Sequence, residues 1–432
     1  MDANKEVVSP MKITRRLLCQ ALVSALFMSL PVVPAAADEN ADLREEISSL
    51  KARLNDLEKR LSKQEEARTP EILPPTAGES GGEIPSWVRN IKLSGYVDAS
   101  YVYNTQNPEG RANSLRVFDT EANGFQPNAL GLTVEKPVSA ESRVGFRSDL
   151  LVGEDAEIVG AVTTGLGSQT DELDLLQAYG EALLPVGNGL DVKFGKFTTL
   201  HGAEVVASKD NWNFSRSFLF GYAEPVTHTG VRFSYPFTSW FTGLFGVNNG
   251  WDVVDDNNTA KTIEWQGTIT PTSNTSLSVT GMHGAEQASD NRDDRHMLGF
   301  VAGYNPCDRL GLKLAYDYGH EEDAVSEGPD EDAAWQGVAG YARYQFTDWY
   351  ALAGRMEYFD DSDGIRTGVR AANGVGRVGL WELTLTNEFK VYKDLITRLE
   401  YRHDHATEAV FSAGSSTDNT QDTLSAEVVY PF

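Results

Sequence analysis

The chain has 432 residues and a formal net charge of -26; 41% of its residues are hydrophobic, 23% are charged, and the mean hydropathy is -0.35. Its 2 cysteines cannot staple a chain of this length, no internal apolar run approaches the ~18 residues a membrane helix needs, and the acidity lacks the basic footprint that nucleic-acid phosphate demands. What remains is an acidic chain, polar on average yet holding 39 Gly, 19 Phe, 16 Tyr and 8 Trp, and periodicity must decide its fold.

Residues 1–37 read as an export signal. Lys12, Arg15 and Arg16 precede a mostly apolar run from Leu17 to Val33, and Ala35, Ala36 and Ala37 supply small residues for cleavage. Translation is expected to begin at Met11. Cleavage removes four basic and two acidic residues, so the mature chain is more acidic still. Residues 38–66 carry a heptad stripe, with Ile47, Leu54 and Leu61 at a and Leu43, Leu50 and Leu57 at d. Glu46–Lys51, Arg53–Glu58 and Arg60–Glu65 are opposite in sign across g and e, as a parallel homo-oligomeric coiled coil requires. Three heptads are few for an isolated helix, and a single amphipathic helix is the other reading. Residues 67–87 are rich in Pro, Gly, Glu and Ser and read as a linker.

From residue 88 to 432 the period is two. Leu93, Val97, Ala99, Tyr101 and Tyr103 share one face of the first segment; Lys92, Ser94, Asp98 and Ser100 share the other. Sixteen such segments follow one another, among them 91–103, 128–137, 142–152, 395–403 and 421–432. Long and short connections alternate between them, so an antiparallel meander has tight turns at one end and long loops at the other. Arg398, Glu400 and Arg402 alternate with Leu399 and Tyr401, which suits a watery lumen and not the dry interior of a sandwich. Leu424, Ala426, Val428, Tyr430 and Phe432 end the chain in phase on a terminal aromatic, like the assembly signal of outer-membrane barrels. The predicted fold is all-β: a transmembrane antiparallel β-barrel of about 16 strands in the outer membrane of a Gram-negative-type bacterium.

Strand parity points Arg143, Arg147, Lys193, Arg232, Arg343, Arg355, Arg398 and Arg402 into the lumen, together with Asp98, Asp149, Glu181, Glu357, Glu382 and Glu400. Facing rows of opposite sign would set a transverse field. Each of these can also be read as a satisfied wall charge. The connection 200–226 is long and aromatic, and is the candidate for narrowing the pore through Glu204, Asp210, Trp212, Phe214 and Glu224. A packed surface loop or a subunit contact is the alternative reading. Surplus acid lies in the loops, at Glu321, Glu322, Asp323, Glu327, Asp330, Glu331 and Asp332, and at Asp252, Asp255 and Asp256. Such loops could bridge to surface lipid phosphates through divalent cations. No cofactor, catalytic residue or metal-ligand spacing stands out; the seven histidines read as scattered, with His403 and His405 sharing a rim face. With Cys19 discarded, Cys307 is expected to be free or intermolecular.

The runs IKLSGYVDASYVYN, Asp191–Leu200 (DVKFGKFTTL) and Asn213–Tyr235 (NFSRSFLFGYAEPVTHTGVRFSY) resemble the beta-barrel porin-2 family of bacterial outer membranes, over about 88–432. The resemblance implies a porin-like channel for small hydrophilic solutes or ions and supplies no catalytic residues. With these heptads, the expected assembly is a homotrimer. The competing functions are a surface structural or adhesion protein anchored by its barrel, and a barrel enzyme.

Overall fold

The computed structural model describes residues 90–162, 172–325, 331–374 and 376–432. The expected signal, coiled coil and linker lie outside the described residues, as do Glu327 and Asp330.

The sheet begins with β1 (Lys92–Asn104), β2 (Gly124–Lys136), β3 (Val144–Val152), β4 (Leu173–Leu184), β5 (Leu190–Thr198) and β6 (Thr227–Pro236). It continues through β7 (Phe241–Asn248), β8 (Thr262–Thr272), β9 (Thr275–Ala285), β10 (Asp294–Cys307), β11 (Leu310–Glu321) and β12 (Ala333–Thr347). It ends with β13 (Tyr350–Asp361), β14 (Val378–Tyr392), β15 (Leu395–Ala406) and, after a small hairpin of β16 (Phe411–Ala413) and β17 (Ser416–Asp418), β18 (Thr420–Pro431). Each barrel strand pairs antiparallel with its sequence neighbours, and β1 pairs with both β2 and β18, so the sheet is closed. Closure answers every backbone donor and acceptor within the sheet, the condition for crossing hydrocarbon. The chain end takes part: Gly95 and Phe432 exchange backbone hydrogen bonds, both of 2.9 Å.

The sheet is inverted relative to a soluble protein. Phe125 is 87% exposed and Phe194 73%, while Asp98, Arg355 and Arg398 are each 1% exposed. In β18 Leu424, Val428 and Tyr430 face out and Gln421, Thr423 and Glu427 are buried. An exposed apolar belt around buried charge is the arrangement lipid selects.

Two boundaries differ from the sequence expectation by three residues or more. Strand β2 begins at Gly124, four residues before the expected 128, because Pro127 falls at a register shift opposite Asp98–Ser100. The bulge absorbs the residue that cannot donate, and pairing resumes at Gln126–Ser100. Strand β15 runs to Ala406 and not 403, since Ala406 still pairs with Leu380. Cys307 is disulfide-bonded, so of the two expectations, a free thiol or an intermolecular bond, the free thiol does not hold.

The long connections are not all external. Helix α1 (Glu154–Val162) follows β3, and Phe118, Ala156, Val159, Val206 and Phe220 from three connections form one buried apolar cluster with Leu151 and Leu176 of the wall. A second helix, α2 (Val369–Asn373), lies between β13 and β14. Leu385 is at the centre of β14 and faces outward. Replacing it with Arg is expected to destabilise the barrel in lipid by about 2–4 kcal/mol, measured by reversible denaturant unfolding in vesicles; an effect below about 0.5 kcal/mol would contradict a membrane-facing surface.

Candidate functional site

The connection between β5 and β6, residues 199–226, is held against the far wall of the barrel. In the closed order of strands β14 is seven steps from β5 one way and nine the other, close to diametrically opposite. The loop reaches β13, β14, β15 and β18 there through side chains that parity turns inward.

Two carboxylates grip its backbone. Glu400 accepts hydrogen bonds from the Phe214 N–H at 2.7 Å and the Ser215 N–H at 3.0 Å. Glu357 accepts from the Phe218 N–H at 2.5 Å and the Leu219 N–H at 3.1 Å. These donors lead into a single helical turn, Leu219–Ala223, whose first N–H groups have no partner within the turn.

Three arginines grip its carbonyls. Arg355 donates to the Ser215 carbonyl at 2.5 Å and pairs with Glu204 at 2.7 Å and Glu382 at 2.6 Å. Arg402 donates to the Arg216 carbonyl at 2.5 Å and pairs with Asp404 at 2.7 Å. Arg398 reaches the Ser208 carbonyl at 3.0 Å and the Asn211 carbonyl at 2.9 Å, and pairs with Glu388 at 3.0 Å and Glu427 at 3.1 Å. Asn213 adds a 2.7 Å bond to Thr386. The wall is also shaped to receive the loop: a Cβ at Gly337 would lie 2.6 Å from Leu219 Cδ1, and one at Gly311 would lie 2.9 Å from Trp212 Cη2. Glycine is needed at these contacts for close approach.

The remaining candidates fall elsewhere. Glu204 also accepts from Ser217, and Phe214 is buried. Trp212 packs beneath Lys313, whose Nζ is 4.5 Å from the ring centroid. Asp210 pairs with Lys209 at 2.7 Å and stays half-exposed. Glu224 is buried, and its Oε2 has no hydrogen-bond partner among the described residues. Across the lumen Arg147 pairs with Asp149 at 3.0 Å and Glu135 at 3.5 Å, Lys193 with Glu181 at 3.4 Å, and Arg232 with Glu264 at 2.5 Å. Arg147 and Lys193 keep about a third of their side-chain surface in solvent, whereas Arg355, Arg398 and Arg402 keep almost none. Arg143, at the short-turn end, only approaches the Leu183 carbonyl at 3.4 Å.

Glu388 and Glu427 escaped the sequence reading although they share parity with Glu382 and Arg398 and could have been found by it. Arg116 could not: it lies in the connection after β1, and only the folded chain carries it to Asp404, 2.6 Å away, and to Asp119.

Cavities open on both sides of the loop. The outer one, about 580 Å³, is lined by Arg116, Tyr222, Trp251, Glu286, Arg295 and Arg366, among others. The other, about 560 Å³, lies among the turns at the opposite end and is lined by Trp212, Asn274, Asn305, Asp308, Arg309 and Arg343, among others.

Among solved structures the chain resembles an anion-selective porin from Comamonas acidovorans (TM-score 0.56, 13% identity, covering 79% of this chain and 99% of that one). It also resembles OprB of Pseudomonas putida (TM-score 0.54, 12% identity, covering 80% and 95%) and OmpT, an outer membrane protein of Vibrio cholerae, in a trimer form (TM-score 0.51, 11% identity, covering 79% and 99%). At these identities the likeness is one of fold. No curated protein matches in sequence. Residues 90–432 match the family described as "Putative beta-barrel porin-2, OmpL-like", and the chain belongs to that family of porin-like barrels.

Proposed function

We propose that this protein is an outer-membrane porin that passes small hydrophilic solutes or ions by passive diffusion, without catalysis, and that its loop 199–226 forms the constriction. The observation that carries the proposal is the division of the interior. One wall is consumed in holding the loop, while Arg147, Glu135, Lys193 and, to a lesser extent, Glu181 on the facing strands keep access to solvent, with Asp149 buried beneath Arg147. Opposed charges beside a narrowed passage act as a filter by field and width. Arg355, Arg398, Arg402 and Glu400 serve in this reading mainly to position the constriction, Arg232 to brace the end of β5 through Glu264 and the Thr198 carbonyl, Asp149 to hold Arg147, and Arg143, Arg147, Lys193 and Glu181 to line the path. The assembly is a homotrimer in this reading, supported by the heptads at 43–61; a monomer by native mass spectrometry would count against it.

Purified protein in a planar bilayer is expected to give resolved conductance steps; their absence would overturn the porin reading. Glu357→Ala and Glu400→Ala each leave buried loop N–H groups unanswered and are expected to cost about 1–3 kcal/mol of stability. In the same bilayers both variants should raise mean conductance and add fluctuation.

The outer cavity is expected to respond to pH. Burial pushes the carboxyl of Asp252 up to about 6 despite hydrogen bonds from the Thr227 and Val226 N–H groups. Burial likewise pushes Glu286 up to about 7, against the pull of Arg295, Thr262 and the Trp251 N–H. Both carboxyls carry charge at pH 8 and lose it by pH 5, whereas arginine stays cationic throughout. The permeability ratio of cations to anions, read from reversal potentials in a salt gradient, should therefore fall between pH 8 and pH 5. An unchanged reversal potential would contradict a conducting path through this cavity.

A further inference from the structure

The histidines that look scattered in sequence are gathered by strand register. His283 of β9 is paired with His296 of β10, and His296 is paired in turn with His320 of β11. The three form one row across adjacent strands on the outward face. The next outward row toward the membrane is Trp265, Gly281, Leu298 and Tyr318, so the histidines stand just above the apolar belt. Asp294 opens β10 beside them, and Asp332 approaches from the connection after β11.

The geometry is that of a chelate. Nδ1 of His283 and Nδ1 of His296 are 3.0 Å apart, with rings stacked at 4.6 Å. Two imidazole nitrogens bound side by side to one metal at about 2.0–2.1 Å are separated by about 2.9–3.4 Å. One ligand atom from each of His283, His296 and Asp294 lies within 4.8 Å of the others. His320 stands next in the row, its ring 6.2 Å from that of His296, and its Nε2 is 3.3 Å from an Asp332 carboxylate oxygen. Two neutral imidazoles can share the 3.0 Å contact as a hydrogen bond. That accounts for the pair; Asp294 adds a carboxylate oxygen 3.6 Å from Nε2 of His283, so three donor groups converge on one spot.

We propose that His283, His296 and Asp294 form a binding site for a borderline divalent transition ion such as Zn²⁺, open to the outside of the barrel. Two imidazoles and one carboxylate are a donor set for such ions, whereas Ca²⁺ and Mg²⁺ prefer oxygen alone. His283 keeps half of its side-chain surface in solvent, so an ion can enter without opening the fold. The bound ion joins β9 to β10 at the root of the connection 286–293. The inference stands independently of whether the barrel conducts.

The test is Zn²⁺ titration by calorimetry on tag-free protein folded in detergent and stripped with chelator. Saturable binding of one ion per chain is expected, undiminished by excess Mg²⁺. His283→Ala, His296→Ala and Asp294→Asn should each weaken it by about tenfold or more, since even ligand-supporting groups contribute on that scale. His403→Ala with His405→Ala, both on β15 at the rim, should leave it unchanged and serves as the control. Heat-modifiable gel mobility establishes that each variant is folded. Absence of saturable binding, or binding unaffected in folded His296→Ala, overturns the site.

Discussion

A charge removed from water must find its partners in the protein, and that constraint organises the interior of this barrel. Arg355, Arg398 and Arg402 are almost wholly buried, and each is answered by carboxylates of the wall and carbonyls of the loop together. Glu357 and Glu400 are buried likewise and take their hydrogen bonds from loop N–H groups. Without the loop the wall would hold stranded hydrogen-bonding capacity, and without the wall the backbone of the loop would be unsatisfied inside the barrel. Each is the condition for burying the other. This mutual dependence makes the loop a fixed part of the interior rather than a mobile cover.

The same constraint works in reverse on the outer face. Lipid offers no hydrogen bonds, so the sheet closes and presents apolar side chains outward. The two faces of each strand thus obey opposite solvents, and average hydropathy below zero is compatible with a membrane barrel. The acidity of the chain resides largely in connections and interior, where solvent or arginine can answer it. Histidine at the rim occupies the boundary between these regimes, beyond the aromatic row and within reach of ions.

Much of the barrel was legible in sequence because its period is two and each register error would expose charge to lipid. Sixteen strands, their alternation with short and long connections, and the inward parity of Arg355, Arg398 and Arg402 all follow from local pattern. What pattern could not reach is whatever depends on closure. Arg116 meets Asp404 across 288 positions, and nothing near either residue announces it. The row of His283, His296 and His320 is hidden for the same reason: register, not spacing, brings the residues together. The start of β2 lies beyond local pattern too: the bulge opposite Pro127 lets pairing continue past a residue that cannot donate a ladder hydrogen bond.

The central claim is that loop and wall are energetically coupled, and a double-mutant cycle between Glu204 of the loop and Arg355 of β13 measures that coupling. Unfolding free energies of the wild type, Glu204→Ala, Arg355→Ala and the double variant, determined in the same vesicles, close the cycle. A coupling of about 1–3 kcal/mol is expected for a buried pair at 2.7 Å. Additive effects, within about 0.5 kcal/mol, would contradict a loop clamped to the barrel wall.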